Sequence, residues 1–192
     1  LLSRDPTFDL RTAEGRGETL TQVIERPGQS LRSKRSICVD ISDMKLSRNR
    51  EDVIVTYSLG SCVGLTLYDP LAGVGAMIHC MLPMSKIDPE KARLKPYMFV
   101  DTGVAAMLHD LYQAGAQRQN LIAKVAGAGS PLGKEETFRI GQRNYTILRK
   151  FLWKNNILIA KEDVGGSKAR TLYLNMADGR TTVKSEGQEV EL

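Results

Sequence analysis

Residues 56–83 read TYSLGSCVGLTLYDPLAGVGAMIHCMLP, and the folding of this stretch decides both the architecture and the site. It opens on the end of a β-rich segment, VIVTYS, and continues through VGLTLYDP and VGAMIHCML, with Leu59-Gly60-Ser61-Cys62 and Asp69-Pro70 as the intervening turns. Side chains alternate along a strand. Thr56 is therefore expected to share a face with Ile54 and Ser58. His79 joins Gly75 and Met77, while Cys80 faces the other way with Val74, Ala76 and Ile78. Cys80 then reads as a small core residue. Cys62 follows Gly60-Ser61, where the backbone can approach closely and a thiol can be presented among free N–H groups.

A thiol attacks as a thiolate, and an imidazole in reach can take its proton. A hydroxyl such as that of Thr56 can orient the imidazole through its other nitrogen. A cysteine in a strand is more often a structural residue, so spacing alone leaves both readings open.

Working outward, SICVDISD reads as a strand before Arg48-Asn49-Arg50-Glu51, and MSKIDPEKARLKPYM as a polar loop over a site. Val100, Val104, Met107, Leu108, Leu111 and Tyr112 form one apolar stripe at helical spacing, with Gly115 as its stop. His109, on that helix, is expected to be structural or solvated. LIAKVAGAGS reads as a buried strand. A second stripe runs through Asn144, Ile147, Leu148, Phe151 and Leu152. ILIAKED, Gly165-Gly166, ARTLYLNM, an Asp178-Gly179 hairpin turn and RTTVKS complete the chain. This order predicts an α+β domain over 36–192, mostly antiparallel, with two main helices. Residues 1–35 are polar, apart from a short helical turn at TLTQVIE, and are expected to be a flexible extension.

The chain has 192 residues and 42% hydrophobic content, enough for one domain with a real core. No run of 18 apolar residues occurs, so a cytoplasmic protein without membrane insertion is expected. Three cysteines without a CxxC argue against a disulfide framework, and no close ligand pair has zinc spacing. No cofactor or metal is expected. The net charge of +5 comes from a window between Arg26 and Arg50, without interleaved aromatics, so nucleic acid is not an expected partner. AGAGSPLGK lacks the spacing of a phosphate loop.

The combined motif is specific. Thr56, Leu59-Gly60-Ser61-Cys62-Val63, Gly75, Met77-Ile78-His79 and Met81-Leu82-Pro83 resemble the CheD family, chemoreceptor glutamine deamidases of bacterial chemotaxis. Asp43-Met44-Lys45, Ile140-Gly141-Gln142-Arg143-Asn144, Glu162-Asp163-Val164-Gly165-Gly166 and Arg170-Thr171 extend the resemblance over about 36–185. Ala126-Gly127-Ala128 departs from it, since a glycine pair or a bulkier residue is common there.

The resemblance implies a Cys-His-Thr triad of Cys62, His79 and Thr56. After the Gly60-Ser61 turn, Cys62 is expected to be a partly exposed, low-pKa thiol held by His79. It also implies a layered α/β/β fold similar to the cytotoxic necrotizing factor deamidases. Implied partners are methyl-accepting chemotaxis receptors as substrates and a CheC-like phosphatase. Backbone N–H groups around Gly60, Ser61 and Cys62 are the expected oxyanion donors. A non-catalytic adaptor, or thiol transglutaminase or protease chemistry, are the alternative functions.

Overall fold

The structure, a computed structural model, describes residues 35–130 and 139–192. The expected extension, except Arg35, and the PLGK part of the glycine-and-lysine run lie outside the described residues. In chain order the elements are β1 (Arg35–Cys38), β2 (Asp43–Ser47), β3 (Asp52–Leu59), β4 (Val63–Asp69), β5 (Val74–Cys80) and α1 (Pro89–Leu94). They continue with α2 (Val100–Gln113), β6 (Ile122–Gly127), α3 (Ile140–Lys154), β7 (Ile159–Val164), β8 (Arg170–Asn175), β9 (Thr181–Ser185) and β10 (Gln188–Glu191).

Two five-stranded sheets result, ordered β1-β3-β8-β9-β10 and β2-β5-β4-β6-β7. Among the described residues β1/β3 and β6/β7 pair parallel and the other pairings are antiparallel. The α+β reading with two main helices agrees with this. The helices α2 and α3 cover one face of the second sheet through Val104, Met107, Leu111, Leu148 and Leu152, which pack with Leu65, Ala76 and Ile78. The opposite face of that sheet meets the first sheet through a separate core containing Ile54, Leu59, Met77, Leu172 and Leu174. β4 and β5 are buried along their whole length because both of their faces are covered.

Four expectations need correction. SICVDISD is not one strand: the chain leaves β1 after Cys38, turns through Ser42 at φ 63, and enters β2 in the other sheet. The polar segment after β5 is not an open loop. Pro89 opens the six-residue α1, and the Asp88 side chain accepts from the Lys91 N–H at 3.0 Å, which caps it. Tyr112 is exposed at the end of α2 rather than part of its buried stripe. Ser58 does not share the Thr56 face. A bulge shifts the β3/β8 register between Thr56 and Leu59, Ser58 takes φ 57, and Leu59 turns inward in its place.

Other expectations agree with the structure. The α2 stripe is buried from Val100 to Leu111, and Gly115 follows the helix with φ +93. His109 is exposed on α2. Cys80 is fully buried on the helix side of its sheet, with its thiol 3.8 Å from the Phe99 carbonyl.

Candidate active site

β3 and β4 are consecutive but belong to different sheets, so Gly60, Ser61 and Cys62 form a crossing between layers and not a hairpin turn. Cys62 packs against the core between the sheets and is partly exposed. Two residues further, Gly64 pairs with His79 across β4/β5. The two-residue period places Cys62 and His79 on the same side of that sheet. Thr56 reaches the same space from the opposing sheet, and its hydroxyl oxygen lies 2.8 Å from His79 Nδ1. The three sequence-derived site residues thus face one inter-sheet space, with Cys62 partly exposed at it.

Hydrogen-bond arithmetic assigns the histidine tautomer. The Thr56 hydroxyl donates its one proton to the Val39 carbonyl at 2.7 Å, because a carbonyl can only accept. Toward His79 the same oxygen must then accept, so Nδ1 carries the proton and Nε2 holds the lone pair. His79 is fully buried, and Nε2 has no hydrogen-bond partner among the described residues. A bare, oriented ring nitrogen is what a general base requires.

Burial pushes His79 down to about 4, slightly opposed by the negative charge of Asp40. Burial also raises Cys62, opposed by its own backbone N–H. The expectation of a low-pKa Cys62 thiol held by His79 is therefore corrected. Desolvation disfavours both charged forms, and the resting pair is a neutral thiol with a neutral imidazole. Proton transfer then belongs to the attack itself.

The same shift makes a stability prediction. Below its ordinary value of 6.5, His79 in the unfolded chain binds a proton that the folded site refuses until about pH 4. Its contribution is complete above 6.5 and drains away as pH falls toward 4, on the order of 3 kcal/mol in total. Denaturant titrations at pH 7 and pH 4.5 should show this loss, and a His79→Gln variant should show a smaller one. An equal loss in both proteins would refute the assignment.

The thiol-bearing crossing is held by its carbonyls. Gly129 N–H donates to Gly60 O at 2.7 Å and Ala128 N–H to Cys62 O at 2.6 Å. Gly127, at φ +95, lets β6 pass close below, since a Cβ there would lie 2.5 Å from Cys62 O. The remaining carbonyl, Ser61 O, accepts from Asn144 Nδ2 at 3.0 Å, and the same nitrogen donates to Met81 O at 3.0 Å. Both amide hydrogens of this fully buried side chain are thus used. One bond grips the residue before Cys62, the other the second residue after His79. Helix α3 can approach because its second residue is Gly141, whose Cβ would collide with the carbonyls of Ala128 and Gly129.

No role for Asn144 follows from the sequence reading, although a signal was present. It stands in an otherwise apolar helical stripe, and a polar residue on a buried face needs partners. With the crossing's carbonyls engaged, the N–H groups of Ser61 and Cys62 make no backbone hydrogen bond among the described residues.

Among the described residues no three His, Cys, Asp or Glu side chains gather as a metal site, and no helix is long and apolar enough to cross a membrane.

Comparison with known proteins adds a family. The model of the family described as CheD chemotactic sensory transduction matches residues 81–185. The "Probable chemoreceptor glutamine deamidase CheD" of Solibacter usitatus is 46% identical over 81% of this chain and 92% of its own length. "Probable chemoreceptor glutamine deamidase CheD 1" of Syntrophus aciditrophicus is also 46% identical, over 79% of this chain and 94% of its own. Among solved structures, the hypothetical protein YfiH of Bacillus licheniformis aligns with a TM-score of 0.42 at 15% identity. That alignment covers 64% of this chain and 49% of YfiH, and carries no argument about fold or function.

Proposed function

The chain belongs to the CheD family, and from that premise we propose that it deamidates glutamine side chains of chemoreceptors, with Cys62 as nucleophile, His79 as base and Thr56 as its orienting group. The observation that carries the site assignment is the Thr56 hydroxyl set between Val39 O and His79 Nδ1, which leaves Nε2 unprotonated on the Cys62 side of the sheet.

His79 Nε2 takes the Cys62 proton as Sγ attacks the side-chain amide carbon of the glutamine. The C=O electron pair moves onto oxygen, and the N–H groups of Ser61 and Cys62, beside Gly60, stabilise that oxyanion. When the tetrahedral adduct collapses, the C–N bond breaks and His79 hands its proton to the departing ammonia. The resulting thioester is hydrolysed by water, whose proton goes to His79 and then to the leaving Cys62 sulfur. The net change is amide plus water to carboxylic acid plus ammonia. No step calls on a cofactor.

The receptors would be of the methyl-accepting class and the work cytoplasmic, as the family resemblance implies. A CheC-like phosphatase partner and kinship with the cytotoxic necrotizing factor fold rest on that resemblance alone. Residues 36–192 act as the deamidase domain in this reading, so removal of residues 1–34 should leave the rate intact.

Incubation with a receptor cytoplasmic fragment should release ammonia and convert defined glutamines to glutamate by peptide mass analysis. Binding without conversion would favour the adaptor reading. Amine incorporation or chain cleavage would favour transglutaminase or protease chemistry.

Thr56→Val keeps the shape and removes the oxygen that receives the Nδ1 proton. We expect a loss of roughly 10–100-fold in kcat with little change in KM, because the imidazole loses its fixed tautomer. An unchanged kcat would remove Thr56 from the site.

A further inference from the structure

β7 ends the order β2-β5-β4-β6-β7, so its outer edge has no strand partner among the described residues. An unpaired edge presents a row of N–H and C=O groups that can accept another strand. α3 lies alongside, and between the two is a groove of about 680 Å³ lined by Arg149 and Trp153 on one side and Leu158, Ile159 and Lys161 on the other. Trp153 is 72% exposed and Leu158 80% exposed, so two large apolar side chains stand in water at one groove. A monomer seldom leaves such a pair uncovered without use.

The charge around the groove is mainly positive. Arg149 and Lys161 line the groove, and Lys150 lines an adjoining hollow on α3 that shares Arg149 and Trp153. All three are exposed, and none makes an ion pair among the described residues. The carboxylate in the lining, Glu162, accepts from the Tyr145 hydroxyl at 2.6 Å and is one negative charge against the two cations Arg149 and Lys161 of the same lining. A helical partner would bury the β7 backbone groups without pairing them, whereas an extended one would pair them.

We propose that the groove between α3 and β7 binds an extended acidic segment of a partner protein, which adds to the free edge of β7 as a further strand. Its apolar side chains, at alternate positions, cover Trp153 and Leu158, and its carboxylates face Arg149, Lys150 and Lys161. None of Cys62, His79 and Thr56 lines the groove, so this inference stands apart from the proposed chemistry.

Trp153 is the single tryptophan of the chain, so its emission reports the groove directly. The full-length protein is titrated with a pool of octapeptides alternating Asp or Glu with Val, Leu, Ile or Phe. A saturable emission change is expected, weakened about tenfold or more in a Lys150→Glu/Lys161→Glu variant and by raised salt. Backbone N-methylation at alternate peptide positions, tried in both phases, should abolish the change in at least one phase. The Lys150→Glu/Lys161→Glu variant should deamidate a short glutamine peptide, wherever wild type does, at the wild-type rate. No emission change with the pool up to millimolar concentration would overturn the proposal. So would equal binding of a pool with Lys in place of Asp and Glu, or unimpaired binding of both N-methylated sets. Stronger binding of a stapled acidic helix, or of vesicles of anionic lipid, would overturn it in favour of those occupants.

Discussion

Cys62→Ala is expected to lose all detectable deamidation while keeping its fold, whereas Cys80→Ala keeps the chemistry and loses stability. The two thiols lie on opposite faces of one sheet, Cys62 at the inter-sheet core and Cys80 in the core under α2. Truncating Cys80 removes one buried atom from a closely packed site and should cost about 1 kcal/mol or slightly more. Truncating Cys62 removes the nucleophile from a partly exposed position and should change stability little. Alkylation separates the two thiols in another way. Iodoacetamide should modify Cys62 before Cys80, since burial raises both but buries Cys80 completely. The Cys62 rate should climb with pH through and beyond the ordinary thiol range, because its desolvated thiol is raised and not lowered. Residual turnover in purified Cys62→Ala would sink the nucleophile assignment. A plateau in alkylation below neutral pH would show an ion pair in place of the neutral pair.

Asn144→Ala should be the most damaging change outside the triad. Its amide joins Ser61 O, on the Cys62 arm, to Met81 O, on the His79 arm, and both carbonyls would be left unpaired. Both carbonyls belong to half-buried residues, so each orphaned one costs toward the lower end of roughly 1–3 kcal/mol, and a loss on the order of 2 kcal/mol in unfolding free energy is expected. The functional effect is separable from this. Release of the crossing lets the thiol move relative to the imidazole, and a displacement of about 1 Å can cost on the order of 100-fold in rate. At a temperature where the variant is fully folded, kcat should fall about 10–100-fold with KM near wild type, and alkylation of Cys62 should change rate. A stability loss with unchanged kcat and unchanged alkylation would make Asn144 a structural residue only.

Short-range periodicity carried a large share of the architecture. Alternation along VGAMIHC alone assigns His79 and Cys80 to different sides, since a strand of period two admits no other division. The 100–111 stripe did the same for α2, and Gly115 and Asp178-Gly179 marked real turns because positive φ is needed there. The residues Cys62, His79 and Thr56 were legible as a set through the family motif.

What the tertiary structure decided is long-range. β3 pairs with β8, more than a hundred residues away, and that pairing places the bulge that turns Leu59 rather than Ser58 inward. It also puts β3 and β4 in separate sheets, so the nucleophile sits on a crossing between layers and not at a hairpin tip. The direction of the Cys62 shift depends on how much protein surrounds the sulfur, a quantity absent from spacing. Asn144 is 65 residues beyond His79, and only packing of α3 on the crossing brings its amide to the carbonyls of Ser61 and Met81. Periodicity specifies which side of an element is buried. The neighbour that buries it, and the hydrogen bonds made there, follow from contacts between distant segments.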